Sequence, residues 1–165
     1  MGRCKIPLVV LLCLLMNLQG RLLAQEMMDA DGQAVLDHVH GIFRAYMRED
    51  VDTIRATHSD DWVGFLSEST SILRGIDAYM EGGESFLRSF RLLDYTLTDT
   101  EVQVSADVAL LYYTTNVTVL DRATGKRESL SFRSLDVFRR NAEGWVQSGS
   151  HFGTIPSQAD SLSGN

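Results

Sequence analysis

The sequence predicts an α+β domain in which N-terminal helices pack on one face of a curved antiparallel sheet. Three observations carry this expectation. Apolar residues recur at intervals of three and four through much of Gln33 to Phe90, the spacing of a buried helix stripe. From Tyr95 to about Thr154 the period changes to two and stays there, as half-buried strands require. Turn chemistry breaks this second region at three places, so its strands follow one another as a meander.

In chain order, Arg3 and Lys5 precede an apolar run from Ile6 to Met16 and a polar stretch ending at Ala24. This is the layout of a secretory signal peptide over residues 1–24, with cleavage expected near Ala24. The run is too short for the roughly 20 residues that a membrane-spanning helix needs, so no stable membrane insertion is expected once it is cleaved. An uncleaved anchor is the alternative. The expected location is secreted or periplasmic. Loss of Arg3, Lys5 and Arg21, with no acid among residues 1–24, leaves 12 basic against 22 acidic side chains, a net charge of about -10. So acidic a surface repels phosphate backbones, and nucleic acid is not an expected partner. Cys4 and Cys13 both lie within residues 1–24, so the exported part has no thiol for a disulfide, a metal or a nucleophile.

Residues 25–32 read as a lead-in, with Asp31 placed to cap the helix that follows, and residues 33–154 as one domain. Val35, Leu36, Val39, Ile42, Phe43, Tyr46 and Met47 share one stripe of a helix from Gln33 to about Glu49. Val51 to Thr57 can form a second, short helix, and Asp61 to Leu66 a strand before a Ser/Thr loop to Leu73. Gly75 opens a third helix, in which Gly82-Gly83 costs about 1–2 kcal/mol of helix propensity and predicts a kink or a break. Four strands follow, at Tyr95 to Val104, Val108 to Leu120, Glu128 to Arg139 and Trp145 to Gly153. In the second of these, Ala109, Leu111, Tyr113, Thr115, Val117 and Val119 form the more apolar face. Asn116, in the glycosylation sequon Asn116-Val117-Thr118, lies on the other. Residues 155–165 are serine-rich and polar, the composition of a disordered tail.

The stretch from Ser129 to Gly153 concentrates the candidate chemistry. One face of this predicted hairpin carries Leu130, Phe132, Phe138 and Trp145 together with Asp136, Gln147 and His151. A turn pairing about Arg139 with Gly144 would set Asp136 across from Gln147 and Phe132 across from His151. A carboxyl and an imidazole sharing an apolar pocket can work as a general acid/base pair, which makes Asp136 and His151 the catalytic candidates. The structural alternative is that His151 donates one fixed hydrogen bond and that Asp136 pairs with an arginine or with backbone amides. Tyr46, Trp62, Tyr79, Tyr113, Phe132 and Gln147 are the candidate ligand-binding residues, although aromatic side chains at these spacings fit a core as well. Arg74 could meet a ligand carboxylate or a neighbouring acid. His58-Ser59-Asp60-Asp61 has ligand types for a metal but lacks a second cluster, and His38 and His40 face different directions on their helix, so no metal or cofactor is expected. Ser67 to Ser71 offers hydroxyls without a matching base.

The order helix, helix, strand, helix, then four strands resembles the nuclear transport factor 2 (NTF2)-like superfamily, in its SnoaL-like branch related to the calcium/calmodulin kinase association domain. The residues that carry the likeness are Met47-Arg48-Glu49-Asp50-Val51-Asp52, Asp60-Asp61-Trp62-Val63, Gly75, Asp136-Val137-Phe138-Arg139-Arg140, Gly144-Trp145 and Ser150-His151-Phe152. The resemblance implies a cone-shaped pocket between curved sheet and helices, and a homodimer formed through the outer sheet face. It also implies a test. Against the steroid isomerase branch, the general-base aspartate falls on Leu66 and the phenol of the first helix on Ile42, and neither can move a proton. Only the second pocket carboxyl has a counterpart, Asp136, through an Asp-x-Phe-Arg-x-Asn pattern ending at Asn141. The His/Asp and Asp/Arg/Asp sets of the dehydratase and epoxide-hydrolase branches find no match. The expected function is therefore binding of a small, largely apolar molecule. The alternatives are a lyase-, isomerase- or hydrolase-type enzyme using His151 and Asp136, and a structural dimerisation module.

Overall fold

The computed structural model describes residues 30–67 and 69–155. The expected signal peptide, most of the lead-in and the tail from Pro156 onward lie outside the described residues. Ile155, assigned to the tail from sequence, donates its amide to the Ser131 carbonyl at 2.8 Å and so belongs to the sheet edge.

Helix α1 (residues 30–48) buries Val35, Val39, Ile42 and Ala45, spaced four, three and three along one stripe. It is already helical at Ala30, so Asp31 is not its cap. The Asp31 carboxylate pairs instead with Arg140 at 2.6 Å, and that guanidinium lies 4.3 Å over the Trp145 ring, which fastens α1 to the last hairpin. Glu49 turns the chain at a left-handed φ of 57°. Asp50 then caps α2 (Val51–Ala56), accepting from the Thr53 amide at 3.1 Å and the Thr53 hydroxyl at 2.6 Å.

Strand β1 (His58–Phe65) starts three residues before its expected position, because it pairs in parallel with the final strand from His58 onward. The two-residue β2 (Leu73–Arg74) pairs back on it within the segment expected to be a loop. Helix α3 (Ile76–Ser89) runs unbroken through Gly82-Gly83, against the predicted kink. It passes directly into β3 (Phe90–Ser105), which is followed by β4 (Val108–Asp121), β5 (Arg127–Asn141) and β6 (Gly144–Thr154).

The six strands form one sheet in the order β2-β1-β6-β5-β4-β3, antiparallel from β3 to β6. Register shifts interrupt β3 twice, with Asp99 at φ 52° in the second, and β6 once. Bulges of this kind bend a sheet, and here they curl it around the helices. The predicted inner face of β4 is buried at all six positions, with Val35 and Val39 of α1 packed among Ala109, Leu111, Phe138 and Trp145. Val108, Tyr112 and Asn116 are exposed on the outer face, and Asn116 accepts from the Ser131 hydroxyl at 2.6 Å.

Candidate functional site

Between α1, α3 and the inner face of β4 to β6 lies a cavity of about 190 Å³. Most of its wall is apolar, with Ile42 and Phe43 from α1, Phe86 from α3, and Leu92, Val117 and Phe132 from the sheet. Two pairs of polar side chains stand out in this surface, beside Ser67, Gln147 and Ser150.

The first pair is on the sheet. Leu111 faces Asp136 across the β4–β5 ladder, so Tyr113, two residues on, is the diagonal neighbour of Asp136 on the same face. The Tyr113 hydroxyl donates to Asp136 Oδ2 at 2.9 Å. Asp136 is 1% exposed, and this burial pushes its carboxyl up from 3.8 to about 7, against the opposing pull of Tyr113, Gln147 and Ser150, which favour the charged form. Burial, followed by the facing carboxylate, raises the Tyr113 phenol well above its usual range.

The second pair is on the helices. The hydroxyls of Tyr46 on α1 and Tyr79 on α3 lie 3.2 Å apart. Burial pushes Tyr46 up to about 12 and raises Tyr79 as well, so both are neutral phenols at any ordinary pH. Gly83 makes this contact possible: a Cβ there would lie 2.5 Å from the Tyr46 hydroxyl oxygen. The glycine pair of α3 thus admits the close approach of Leu66 and Tyr46 within an intact helix.

Behind Tyr79 lies His58, buried, its ring centroid 3.9 Å from that of the tyrosine. Its Nδ1 donates to the Ile54 carbonyl at 2.8 Å, which leaves Nε2 as an acceptor without a hydrogen-bond partner among the described residues. Burial lowers this imidazole from 6.5 to about 4, so it is neutral at pH 7.

Of the residues singled out from sequence, the structure brings Tyr46, Tyr79, Tyr113, Phe132, Asp136 and Gln147 to the cavity. Trp62 is not among them. It is fully buried beneath α3 with Ala45, Ile54 and Met80, its ring 5.0 Å from Tyr79. His151 is also elsewhere. The turn pairs Asn141 with Gly144, two residues further along β5 than expected, and β6 then gains one residue between Gln147 and Gly149. Asp136 therefore faces Ser150, Phe138 faces Gln147, and Leu135 faces His151. A one-residue shift sends every later side chain to the opposite face, so His151 is exposed on the outer surface, edge-on to Phe65, and the proposed Asp136–His151 acid/base pair does not exist.

Ser150, Gly82, Gly83 and the support from His58 were not found from sequence. Only the glycines left a signal there, as an unexplained cost within a helix. Ile42 and Leu66, which occupy the working positions of the steroid isomerases by resemblance, do line the cavity, as apolar side chains. Arg74 is exposed and outside the cavity. His38 donates to the Thr57 carbonyl at 2.8 Å, and His40 lies 2.9 Å from the Tyr95 hydroxyl. Among the described residues no group of three or more His, Cys, Asp or Glu side chains is placed to hold a metal ion, and no helix is long and apolar enough to cross a membrane.

Helices closing a strongly bent antiparallel sheet over a mainly apolar cavity define the NTF2-like class of α+β domains. Within it, the chain belongs to the SnoaL-like domain family, whose sequence profile matches residues 35–156. Among solved structures, the chain is similar to a ketosteroid isomerase-like protein from Erwinia carotovora, at 23% identity and a TM-score of 0.65 over 77% of this chain and 98% of that one. It is also similar to an NTF2-like protein of unknown function from Pseudomonas putida, at 18% identity and 0.66 over 81% and 93%. A conserved protein from Planctomyces limnophilus matches at 18% identity and 0.67 over 78% and 99%. At these identities the likeness is one of fold. No protein of curated function matches the chain.

Proposed function

We propose that this is an exported, homodimeric domain that binds a small, largely apolar molecule through one carbonyl or hydroxyl group. The single observation that carries the reading is the Tyr113–Asp136 pair, buried yet bordering an otherwise apolar cavity. Pockets that bind small molecules have this composition, apolar walls with a few convergent polar groups. Below about pH 7 Asp136 is a neutral acid with a hydrogen to donate to a ligand oxygen, whereas above it the carboxylate repels anions. This disfavours an anionic ligand, and a neutral one is proposed. Export rests on the signal-like residues 1–24, and homodimerisation on the resemblance to the family.

Cyclohexanone, a neutral ring with one carbonyl, is the probe, followed by ligand-observed NMR on the purified protein. Saturable binding is expected, weakened about 5- to 10-fold in Tyr113→Phe and falling as pH rises through 7. Binding that ignores both changes sinks the proposal. A second reading, an enzyme in which Asp136 alone moves a proton, is favoured by its pKa near neutrality. Exchange of the ketone α-protons for deuterium in D2O, catalysed by the protein and lost in Asp136→Asn, would establish it.

A further inference from the structure

We infer that the cavity reads a second oxygen function through the Tyr46–Tyr79 hydroxyl pair, so that its ligand class is a compact neutral molecule carrying two oxygen groups. This rests on the ligand-binding reading above and names the class of ligand.

Counting hydrogens gives the first argument. Two hydroxyls carry two hydrogens, and the 3.2 Å contact between Tyr46 and Tyr79 uses one of them. The other has no acceptor among the described residues, although both side chains line the cavity. A buried donor left unpaired costs about 1–3 kcal/mol, and a ligand oxygen would remove that cost. Placement gives the second argument. Tyr113 and Asp136 stand on β4 and β5, whereas Tyr46 and Tyr79 stand on α1 and α3, and no hydrogen bond joins the two pairs. One ligand oxygen at the sheet thus leaves the helix pair free for another.

Rigidity gives the third argument. The Tyr79 ring packs against the His58 ring at 3.9 Å and the Trp62 ring at 5.0 Å. The His58 ring is itself oriented by its hydrogen bond to Ile54. Across from it, Gly83 gives up about 1 kcal/mol of helix propensity at the point where a Cβ would displace the Tyr46 hydroxyl. The two hydroxyls are therefore held in place before any ligand arrives, which lowers the entropy cost of using them.

Isothermal titration of the purified protein with cyclohexanone and with 4-hydroxycyclohexanone tests this. The second probe adds one hydroxyl at the far end of the same ring, and is expected to bind about 5- to 10-fold more tightly. Tyr79→Phe should abolish that preference, bringing the affinities for the two probes to within about twofold of each other. Gly83→Ala, which pushes the Tyr46 hydroxyl out of position, should reduce the same preference and serves if the phenylalanine variant does not fold. Equal affinity for the two probes, or a preference that survives both substitutions, overturns the inference while the ligand-binding reading stands. If neither probe binds, the ligand-binding reading fails and this one with it.

Discussion

The two halves of β6 differ in a way that decides the site. Before Ser148, Trp145 and Gln147 face inward and are buried. After it, Ser150 is the inward residue opposite Asp136, and His151 lies outside. The Ser148 hydroxyl donates to the Val137 carbonyl at 3.3 Å, at the point where the register slips. A strand assigns side chains to faces strictly by alternation, so one inserted residue outweighs any argument from residue type. His151 sits in the family-like Ser150-His151-Phe152 motif and is a surface residue, whereas His58, in a segment that reads as a break between elements, is buried against the cavity wall.

Deleting Ser148 is the most direct way to test this contrast. It should remove the bulge and leave a regular β5–β6 ladder in which Gln147 still faces Phe138, Ser150 still faces Asp136 and His151 stays outside, while the lost bend of the sheet costs about 3–5 kcal/mol in urea unfolding. A deletion variant in which the His151 imidazole becomes shielded from solvent, read from its NMR titration, would show that Ser148 is not the extra residue.

The buried groups on the inner side make a second test, through pH. Asp136 has a folded pKa of about 7 against an ordinary 3.8, so between these values the folded chain holds a proton that the unfolded chain has lost. Its contribution to stability is complete below about pH 4 and is lost as pH rises through 7. His58, at about 4 against 6.5, acts in the opposite sense: its contribution is complete above about 6.5 and is lost as pH falls to 4. The two slopes oppose each other in the native protein. Asp136→Asn should leave a stability that rises from pH 4 to 6.5, and His58→Gln one that falls from pH 4 to 7, each by on the order of 3 kcal/mol. Denaturant titrations at four or five pH values would show this, and slopes unchanged by either substitution would contradict the burial of these groups.

The smallest effect is expected outside. His151→Ala should change stability by less than about 0.5 kcal/mol and leave cyclohexanone binding unaltered, because its side chain is exposed and does not line the cavity. A clear loss of binding in the titration would return His151 to the site.

Much of the frame was legible in the sequence. The stripe of Val35, Val39 and Ile42 and the alternation from Ala109 to Val119 are periodic signals set by local geometry, and both faces are buried as read. Asp136, Tyr113, Tyr46 and Tyr79 could be proposed because polar groups on apolar faces stand out. What escaped was of another kind. The early start of β1 and the existence of β2 depend on pairing with distant strands, and two residues carry too little periodicity to be seen. Trp62 looked like a ligand contact, yet it packs under α3, since an aromatic ring at strand spacing fits a core and a pocket equally.

By itself, then, the sequence determined the order of the longer elements, the buried faces of α1 and β4 and the family, because backbone periodicity and turn chemistry act over a few residues. The tertiary structure alone decided which side chains meet. Only there does the extra residue in β6 turn His151 outward, Gly83 leave room for the Tyr46 hydroxyl, and burial raise Asp136 to about 7 while lowering His58 to about 4. Each of these depends on the distance between segments far apart in the chain, and no local pattern of residues encodes such a distance.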